Sequence, residues 1–566
     1  MNMNKYVWGW VCLIMGCIIL ACNEEKPITQ SRPLRVQISH EIDILNPALS
    51  RLSVSTFVES QLALPVAKWD ESLRDWIPVL VESYKPEKTQ DGVRYVLKLR
   101  PEARWSDGTP ITVSDFLFTL KMGLNPYITH QSWAAYLSLI SRVEATEDSL
   151  EIFLQTPYIL ADEFIASLIP YPSHVLDSAQ LLKSVQYASF LDQDFSSDED
   201  QTLRQLAQRF NAWGSPAMWP YPVSGLFQVS RWIPGQQVTI SRIHSFWGGE
   251  VEAISKFYST NFDSIHFVVI PDPQNALHAF TSGSVDVLSA LDQVDTALIT
   301  RSSGEAHDVP TLQMLYISVN HHHDLLENTQ IRKALNLAIH RQDIVDRLFE
   351  GRGQPAYGPI HPAKSYYDPI PSPYDPEESR QILQNLNCVD KNGDGILECP
   401  TKRGSKPLSF QIWTTRSELS RNVATLLKGY WKHIGVELEI ESADFRTFLP
   451  ELQNRTYDMA ALALRQNNLL DDPYPLWHSS QADAAGKNYQ GLAHDSIDLI
   501  LENLRTSLVP KLQARYYRQF QQLFADQIPV FFLVAPGEMV VKRTGVDLYW
   551  TAQRPGFDLL RSRFTR

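Results

Sequence analysis

The sequence predicts an α/β protein built from two or more domains. Segments with a period of two residues alternate along the chain with segments of helical period, which is typical of sheets flanked by helices. The chain that follows residue 21 has about 540 residues, well above the roughly 250 to 300 residues at which a single hydrophobic core stops growing. We therefore expect more than one core.

The first clear strand covers residues 93–99 and follows the turn signal Asp91-Gly92. Apolar side chains at the odd positions share one face, whereas Arg94 and Lys98 lie on the other. This alternation is typical of a strand with one buried face.

Helical spacing dominates two later segments. In residues 328–349 an apolar stripe recurs every three or four positions and is interrupted near His340, which predicts a pair of helices. From Leu408 the pattern predicts a strand, a helix that ends at Gly435 and a second strand at residues 436–440. Such units form open sheets with ligand sites at the strand ends.

The N-terminal segment predicts export. Residues 1–5 are short and basic, and residues 6–21 carry no charge but fall short of the roughly 20 apolar residues that a membrane span needs. The run ILAC at residues 19–22 resembles the bacterial lipobox, which implies cleavage before Cys22 and a diacylglycerol on its sulfur. The alternative is an ordinary secretory signal with an incidental cysteine.

This interpretation makes residues 1–21 a lipoprotein signal peptide and residues 22–32 a polar tether. We expect the mature protein to be lipid-anchored to the bacterial cell envelope and to face the periplasm or the cell exterior. Of the five cysteines, Cys388 and Cys399 are left in the exported body, so a disulfide between them is predicted. Two unpaired thiols are the alternative.

Composition narrows the class of partner. Loss of residues 1–21 removes one lysine, so the formal net charge changes from -13 to -14. This acidic balance argues against nucleic acid, because phosphate binding needs clustered Lys and Arg. The 14 tryptophans and 22 tyrosines suit clefts that hold ligands of mixed polarity.

Several blocks, in order, resemble extracellular solute-binding protein family 5, the peptide/nickel-binding group. They are residues 45–47 (LNP), 76–83 (WIPVLVES), 104–115 (RWSDGTPITVSD), 224–227 (SGLF), 282–287 (SGSVDV), 331–341 (IRKALNLAIHR) and 472–481 (DPYPLWHSSQ). The blocks span nearly the whole mature chain. Residues 465–470 (RQNNLL) depart from the family, because they lack the tryptophan and the acid that pairs with a peptide amino terminus in peptide-binding relatives.

The resemblance implies a two-lobed, periplasmic-binding-protein-like α/β fold (type II) with three sub-domains and a two-segment hinge. Lobe one would comprise residues 33–65, 216–308 and 536–566, with residues 66–215 as an inserted sub-domain, and lobe two residues 309–535. Two chain crossings form a hinge that closes on ligand, as in periplasmic binding proteins generally.

The function implied is that of a monomeric substrate-binding component of an ABC importer. It would capture a small solute, foremost a short peptide, and deliver it to an ABC permease without any cofactor. A nickel chelate, a sugar or another small solute is the alternative cargo. A lipid-anchored hydrolase is the alternative class. The chain contains no Gly-x-Ser-x-Gly, His-Glu-x-x-His, phosphate-loop or dinucleotide motif, and Asp107 and Asp115 suit a turn and a helix cap.

Candidate ligand-binding residues come from the late cleft block and the crossing into lobe two. We expect Trp477 and Tyr474 to line the cleft, Asp471 or Asp472 to meet a cationic group, and Asn320 to lie nearby. The alternative is that Trp477 belongs to the core and that both aspartates cap a turn.

Two further motifs resemble metal sites. Asp390, Asn392 and Asp394 match positions 1, 3 and 5 of a calcium loop, with Glu398 nearby, but position 12 is Thr401. A glycine-rich turn clasped by the Cys388-Cys399 disulfide is favoured over a weak structural calcium site. Residues 321–323 (HHH) follow a predicted strand, on which consecutive side chains point to opposite faces, so surface polar residues are favoured there too.

Overall fold

The computed structural model describes residues 32–90, 92–129, 133–291, 296–483 and 486–565. The predicted signal peptide and the predicted lipid anchor at Cys22 lie outside these residues. Within the described ranges, no helix combines the length and apolar character needed to cross a membrane.

The chain enters through one strand and one helix, β1 Leu34–Ile38 and α1 Ser53–Leu62, and then forms a separate antiparallel sheet. The elements of this second part are β2 Ala67–Asp70, β3 Asp75–Pro78, β4 Val81–Ser83, β5 Pro86–Thr89, β6 Gly92–Leu99, α2 Val113–Gly123, α3 Ala134–Leu137, β7 Ile140–Ala145, β8 Ser149–Leu154, α4 Ala161–Ala166, α5 Ser173–Leu176, α6 Tyr187–Asp192 and α7 Ser197–Ala212. Strands β4, β6, β8 and β7 lie side by side, with β5 also paired to β6. The strand predicted at residues 93–99 is confirmed as β6, whose odd-numbered side chains are buried.

The next segment returns to the sheet of β1. It contains β9 Phe227–Ile233, β10 Gln237–Arg242, α8 Glu252–Ser255, β11 Ser264–Val269, α9 Pro273–Thr281, β12 Val287–Leu291, α10 Thr296–Arg301 and β13 Gly304–Pro310. Strand β1 pairs in parallel with both β11 and β12. The ring of Phe57 packs 5.7 Å from Phe267 and 5.5 Å from Phe557, which joins α1, β11 and the C-terminal segment in one core.

The remaining elements build a second α/β unit and a final hairpin. They are β14 Gln313–Val319, α11 Thr329–Leu337, α12 Arg341–Phe349, β15 Gly353–Pro355, α13 Pro376–Asn385, β16 Glu398–Thr401, β17 Gly404–Pro407, β18 Ser409–Thr414, α14 Glu418–Lys432, β19 Glu437–Ser442, α15 Phe445–Asn454, β20 Met459–Arg465, α16 Tyr474–Trp477, α17 Asp495–Arg505, α18 Pro510–Gln527, β21 Val530–Arg543, β22 Val546–Trp550 and β23 Phe557–Phe564.

Both helical predictions are confirmed. The stripe at residues 328–349 forms α11 and α12, and the break occurs because His340 Nδ1 accepts a hydrogen bond from the backbone N–H of Asp343 at 3.0 Å and caps α12. The unit from Leu408 forms β18, α14 and the parallel strand β19. Helix α14 buries Trp431, whose indole N–H donates to the carbonyl of Leu335 at 3.0 Å.

Strand β21 connects the two halves of the large sheet, whose order is β19-β18-β20-β14-β21-β12-β1-β11-β10-β9. Its first part pairs with β14, and its last part, from Gly537, pairs with β13. At the junction, the Thr311 hydroxyl donates to the carbonyl of Pro536 at 2.9 Å. The chain thus passes between the two halves in two adjacent segments, one between β13 and β14 and one within β21. The residue bounds of the lobes stay predictions.

Candidate functional site

A cavity of about 440 Å³ lies at the carboxyl end of β18, in the second half of the large sheet. Residues 315–317 of β14 and residues 461–464 of β20 form one side of it, and Ser417 and Ser420 at the start of α14 form another. Strands β18 and β20 are parallel here, so the cavity is at the position where open α/β sheets hold ligands.

One edge of β20 is open inside this cavity. Strand β18 pairs with β20 at only two positions, the last being Trp413 with Ala460, whereas β14 pairs with β20 along its whole length. Just past β20, the backbone N–H of Gln466 donates to the carbonyl of Leu312 at 2.9 Å. Hydrogen-bonded pairs alternate in an antiparallel ladder, so the N–H and C=O of Ala463 point away from β14. An unpaired strand edge of this kind is a template for another extended chain.

The walls of the cavity leave room beside that edge. Ala461 and Ala463 are small, and Ala463 is exposed. Lys487, also exposed, is the one charged side chain among the described residues that line the cavity, and Tyr489 lies beside it. The cavity is therefore largely apolar, with a few polar groups and a single positive charge.

The ring of Trp477 is part of the core and does not form a wall of the cavity. It is 2 % exposed and packs edge-on against Phe524 at 4.8 Å, with Phe532 and Tyr316 further out. This corrects the expected position of Trp477 and matches the alternative stated above. The reason is local, because α16 is a single turn that directs Trp477 beneath the sheet and leaves its neighbour Leu476 on the cavity.

Tyr474 and Asn320 are both engaged within the protein. The ring of Tyr474 stacks on His478 at 4.0 Å, and the guanidinium of Arg505 lies 4.5 Å above it. The Asn320 amide donates to the carbonyls of Arg455 and Tyr457 at 2.9 and 2.7 Å. Asn320 therefore joins the end of β14 to the segment that precedes β20, and the structure does not place it on the cavity.

Asp471 is already paired with a cation of the chain. The ammonium of Lys364 lies 3.5 Å from its Oδ2, and the Tyr366 hydroxyl donates to the same oxygen at 2.6 Å. Lys364 also donates to the carbonyl of Asn468. Both side chains are buried, and this burial raises the pKa of Asp471 and lowers that of Lys364.

Asp472 has a cationic partner of its own. Arg505 Nε lies 3.2 Å from Asp472 Oδ2, and the Tyr158 hydroxyl donates to that oxygen at 3.1 Å. Burial raises the pKa of Asp472, and the nearby Arg505 opposes this rise. Both candidate carboxylates are therefore neutralised by side chains of the same protein.

Two further contacts connect the predicted inserted sub-domain with predicted lobe two. The backbone N–H of Leu469 donates to Glu163 Oε2 at 2.8 Å, and the N–H of Ile159 donates to the carbonyl of Arg505 at 2.7 Å. Burial raises the pKa of Glu163 to about 7. The end of the segment after β20 is thus sealed by groups from the other half of the molecule.

Sequence reasoning missed Lys364, Arg505 and Glu163. Lys364 lies in a proline-rich loop without period, and Arg505 is the last residue of an otherwise ordinary amphipathic helix. Lys364 and Glu163 contact residues more than 100 positions away in the sequence, and Arg505 pairs with Asp472 from a different element, which no local pattern records. The sequence offered one signal, the adjacent pair Asp471 and Asp472. If both carboxylates are buried, each needs a cationic partner, because buried charges are paired.

The motifs that resembled metal sites form ordinary turns. Cys388 and Cys399 are joined by a disulfide with their Cα atoms 4.1 Å apart. In the loop between them, the two carboxylate oxygens of Asp390 accept hydrogen bonds from Gly393 and Gly395 N–H, and Glu398 pairs with Lys391 at 3.1 Å. The part of the chain that the structure describes holds no group of three His, Cys, Asp or Glu suited to a metal ion.

The remaining candidates also have structural partners. His321 Nε2 lies 3.1 Å from the carbonyl of Pro529, while His323 Nε2 lies 3.7 Å from Asp458, so these histidines face different neighbours. Asp107 pairs with His174 at 2.9 Å. Asp115 accepts the backbone N–H of Thr112 at 2.8 Å and caps α2.

Comparisons with known proteins agree with this architecture. The model of the family described as bacterial extracellular solute-binding proteins, family 5 Middle, matches residues 75–486. The chain is 22% identical over 557 residues to the oligopeptide-binding protein AppA of Bacillus subtilis, covering 95% of this chain and 94% of the relative. It is 22% identical over 497 residues to the periplasmic oligopeptide-binding protein OppA of Escherichia coli, covering 86% and 83%.

Solved structures show the same fold. AppA from Bacillus subtilis in complex with a nonapeptide is similar with a TM-score of 0.67 at 20% identity, covering 94% of this chain and 99% of that one. NikZ from Campylobacter jejuni in complex with Ni(L-His) is similar with a TM-score of 0.65 at 20% identity, covering 91% and 94%. These likenesses confirm the predicted two-lobed α/β fold of type II. The family model matches more than half of the length of this chain, so the chain belongs to family 5 of the bacterial extracellular solute-binding proteins. Members of this family are binding proteins and not enzymes.

Proposed function

We propose that this protein is the lipid-anchored substrate-binding component of an ABC importer, which captures a short peptide between its lobes and delivers it to a membrane permease. The observation that carries the proposal is the open edge of β20 within the cavity. An extended peptide can add main-chain hydrogen bonds to such an edge while its side chains enter the space beside Ala461 and Ala463. The names of the relatives AppA and OppA, both oligopeptide-binding proteins, support a peptide as the cargo.

Capture requires the lobes to close. The two adjacent crossings at Thr311 and Pro536 provide a short hinge between the halves of the large sheet. A ligand shifts the open and closed populations only by binding one of them more tightly, so the peptide must contact both lobes in the closed state.

The anchor is proposed from the lipobox-like sequence at residues 19–22. Lipid chains on Cys22 would keep the protein near its permease, because several acyl chains hold stably where one gives only marginal binding. The periplasmic location that the name of the Escherichia coli relative states supports a site of action outside the cytoplasmic membrane.

A metal chelate is the second candidate cargo. The likeness to NikZ in complex with Ni(L-His) and to NikA from Brucella suis in complex with Fe(III)-EDTA favours it, as does the positive Lys487 on the cavity wall. A chelate would be held by side chains and would make no use of the strand edge.

A thermal stabilisation screen tests the proposal. The purified protein is heated with a random peptide pool, with nickel-histidine and with a sugar panel, and each mixture is then analysed by mass spectrometry for products. We expect the peptide pool to raise the melting temperature with concentration and no product to form. Stabilisation by the chelate or a sugar alone would overturn the peptide cargo, and turnover of any substrate would overturn the binding function.

A further inference from the structure

One face of the large sheet carries basic side chains in line across the strands of predicted lobe one. Arg35 of β1 pairs with His266 of β11. Thr239 of β10 pairs with His266 on one side and with Arg231 of β9 on the other. Residues directly opposite each other on neighbouring strands share a face of the sheet. The side chains of Arg35 and Arg231 therefore lie on the same face, with His266 between them.

The line continues on the other side of β1 through Asp286, which directly precedes β12. Its backbone N–H donates to the carbonyl of Arg35 at 2.8 Å, and its carbonyl accepts the N–H of Arg543 at 3.0 Å. Its carboxylate lies 3.0 Å from Arg35 Nε and 3.5 Å from Arg543 Nε, and Arg32 contacts it as well. Three guanidiniums thus share one buried carboxylate. We call Arg32, Arg35, Arg231 and Arg543 the arginine row.

The arginine row is long and reaches solvent. From β21 to β9 it crosses five strand spacings, or about 24 Å. The side chain of Arg32 is 54 % exposed, and Arg231 is also exposed. Those of Arg35 and Arg543 are 26 % and 17 % exposed, whereas that of Asp286 is fully buried. The positive groups therefore face the solvent and their counter-charge does not.

Nearby acidic side chains have cations of their own. Asp263, just before β11, interacts with Arg242, and Glu305 of β13 lies 2.7 Å from the ammonium of Lys542. These pairs leave the excess of positive charge on the arginine row in place. The row is thus a local basic surface on a chain whose formal net charge is -13.

The sequence places this surface close to the proposed lipid. Arg32 follows Cys22 by ten residues, a segment that spans at most about 35 Å when fully extended. Charges interact across water only within about 10 Å at ordinary ionic strength, so the face turned to a membrane decides whether the protein is attracted or repelled. A basic face near the anchor therefore offsets the acidic balance of the whole chain.

The hinge lies at the opposite end of the same strands. Arg543 pairs with Gly304 at the start of β13, whereas Gly537, beside the crossing, pairs with Pro310 at its end. Contact with a surface at the arginine row therefore leaves the crossings free to move.

We propose that the arginine row binds the anionic phospholipid headgroups of the membrane, so that the anchored protein rests with this face of lobe one against the bilayer. This inference rests on the proposed lipid anchor and adds a second, reversible contact to it. A guanidinium suits a phosphate group because its planar fork donates two parallel hydrogen bonds. Each arginine near an anionic surface strengthens binding about fivefold.

Vesicle binding tests the arginine row without the anchor. The mature chain with Cys22→Ser, which carries no acyl group, is sedimented with vesicles of phosphatidylcholine and with vesicles of equal parts phosphatidylcholine and phosphatidylglycerol. We expect binding to the anionic vesicles alone. High salt should abolish it, because the screening length falls from about 10 Å at 0.1 M salt to about 3 Å at 1 M.

The exposed members of the row provide the variant. Arg32→Gln combined with Arg231→Gln should weaken binding to the anionic vesicles about 25-fold. Arg35 and Arg543 remain on the buried Asp286, so the melting temperature should stay close to that of the wild type. If the double variant fails to fold, Arg231→Gln alone should still show a loss of about fivefold.

A second double variant is the matched control. Arg421→Gln combined with Arg515→Gln removes the same charge from exposed positions of predicted lobe two. Its binding to the anionic vesicles should stay within about twofold of the wild type, because these positions do not face the membrane. Equal losses in the two double variants would show attraction by net charge alone and would overturn the role of the row.

Other results would overturn the proposal as well. Equal binding to both kinds of vesicle, or binding to neither, contradicts a contact with anionic headgroups. Release by inorganic phosphate at an ionic strength at which chloride releases nothing would show a site for free phosphate instead. The proposed function is measured separately, since the lipid anchor is decided by fractionation in high salt and peptide capture by thermal stabilisation.

Discussion

Arg505 and Asp472 form an ion pair between the end of α17 and the segment after β20, with Nε and Oδ2 3.2 Å apart. The Tyr158 hydroxyl donates to the same oxygen at 3.1 Å from the predicted inserted sub-domain. The pair therefore shares its acceptor with a residue of the predicted inserted sub-domain, and we expect this contact to favour the closed arrangement of the two lobes.

Removal of the Tyr158 hydroxyl should favour the open state of the two lobes. Tyr158→Phe deletes one hydrogen bond between the halves, which costs about 1 kcal/mol and shifts the ratio of open to closed molecules about fivefold. Small-angle scattering of the protein without ligand should then give a larger radius of gyration. Tyr127→Phe, which removes a hydroxyl bonded to Asp200 within one half, should not. Identical scattering from wild type and Tyr158→Phe would contradict the role of this contact.

The main effect of Trp477→Ala should be a less stable fold. The buried ring packs against Phe524 and Phe532, so its loss should lower the free energy of unfolding by about 3 to 5 kcal/mol. Urea unfolding measures this directly, with Trp550→Ala as a control at a ring that is 37 % exposed. Unchanged stability together with lost ligand affinity would contradict the structural role and would show that Trp477 contacts the ligand.

Stability should depend on pH through Glu59. Burial raises the pKa of this carboxyl from 4.5 to about 8, so the folded state binds the proton more tightly than the unfolded state does. Its stabilising effect is complete below about pH 4.5 and is lost as the pH rises towards 8, by on the order of 4 kcal/mol.

Glu59→Gln keeps a neutral side chain of the same shape and removes this dependence. The difference in unfolding free energy between the variant and the wild type should grow in favour of the variant from pH 5 to pH 8. Parallel pH profiles for the two proteins would show that Glu59 does not titrate in this range.

The anchor is tested at Cys22. Cys22→Ser removes the sulfur that would carry the diacylglycerol, so the variant should appear in the soluble fraction or remain unprocessed. Fractionation and mass spectrometry of the mature N-terminus provide the measurement. Recovery of the variant in the membrane fraction at the wild-type level would rule out lipid attachment at this position.

Elements with a strong period were predictable, whereas the charged contacts of the site were not. In residues 93–99 and in the unit that ends in β19, the spacing of the apolar residues predicts which side chains are buried. One face of a strand repeats every two residues and one face of a helix every 3.6 residues. Trp477 could not be assigned in the same way, since the single turn of α16 has no period and its direction depends on the sheet beneath it. Lys364 approaches Asp471 from 107 residues away, so only the folded chain brings them together.

The most direct test of the central claim is the affinity of a captured peptide for Ala463→Pro. Proline removes the N–H that points to the open edge of β20 and leaves the ladder with β14 in place. Leu464→Pro is the contrasting variant, because its N–H belongs to that ladder and its loss should destabilise the fold. If the peptide adds to the edge of β20, Ala463→Pro should melt close to the wild type and bind the peptide at least about tenfold more weakly. Wild-type affinity in a folded Ala463→Pro protein would contradict capture of the peptide on this strand.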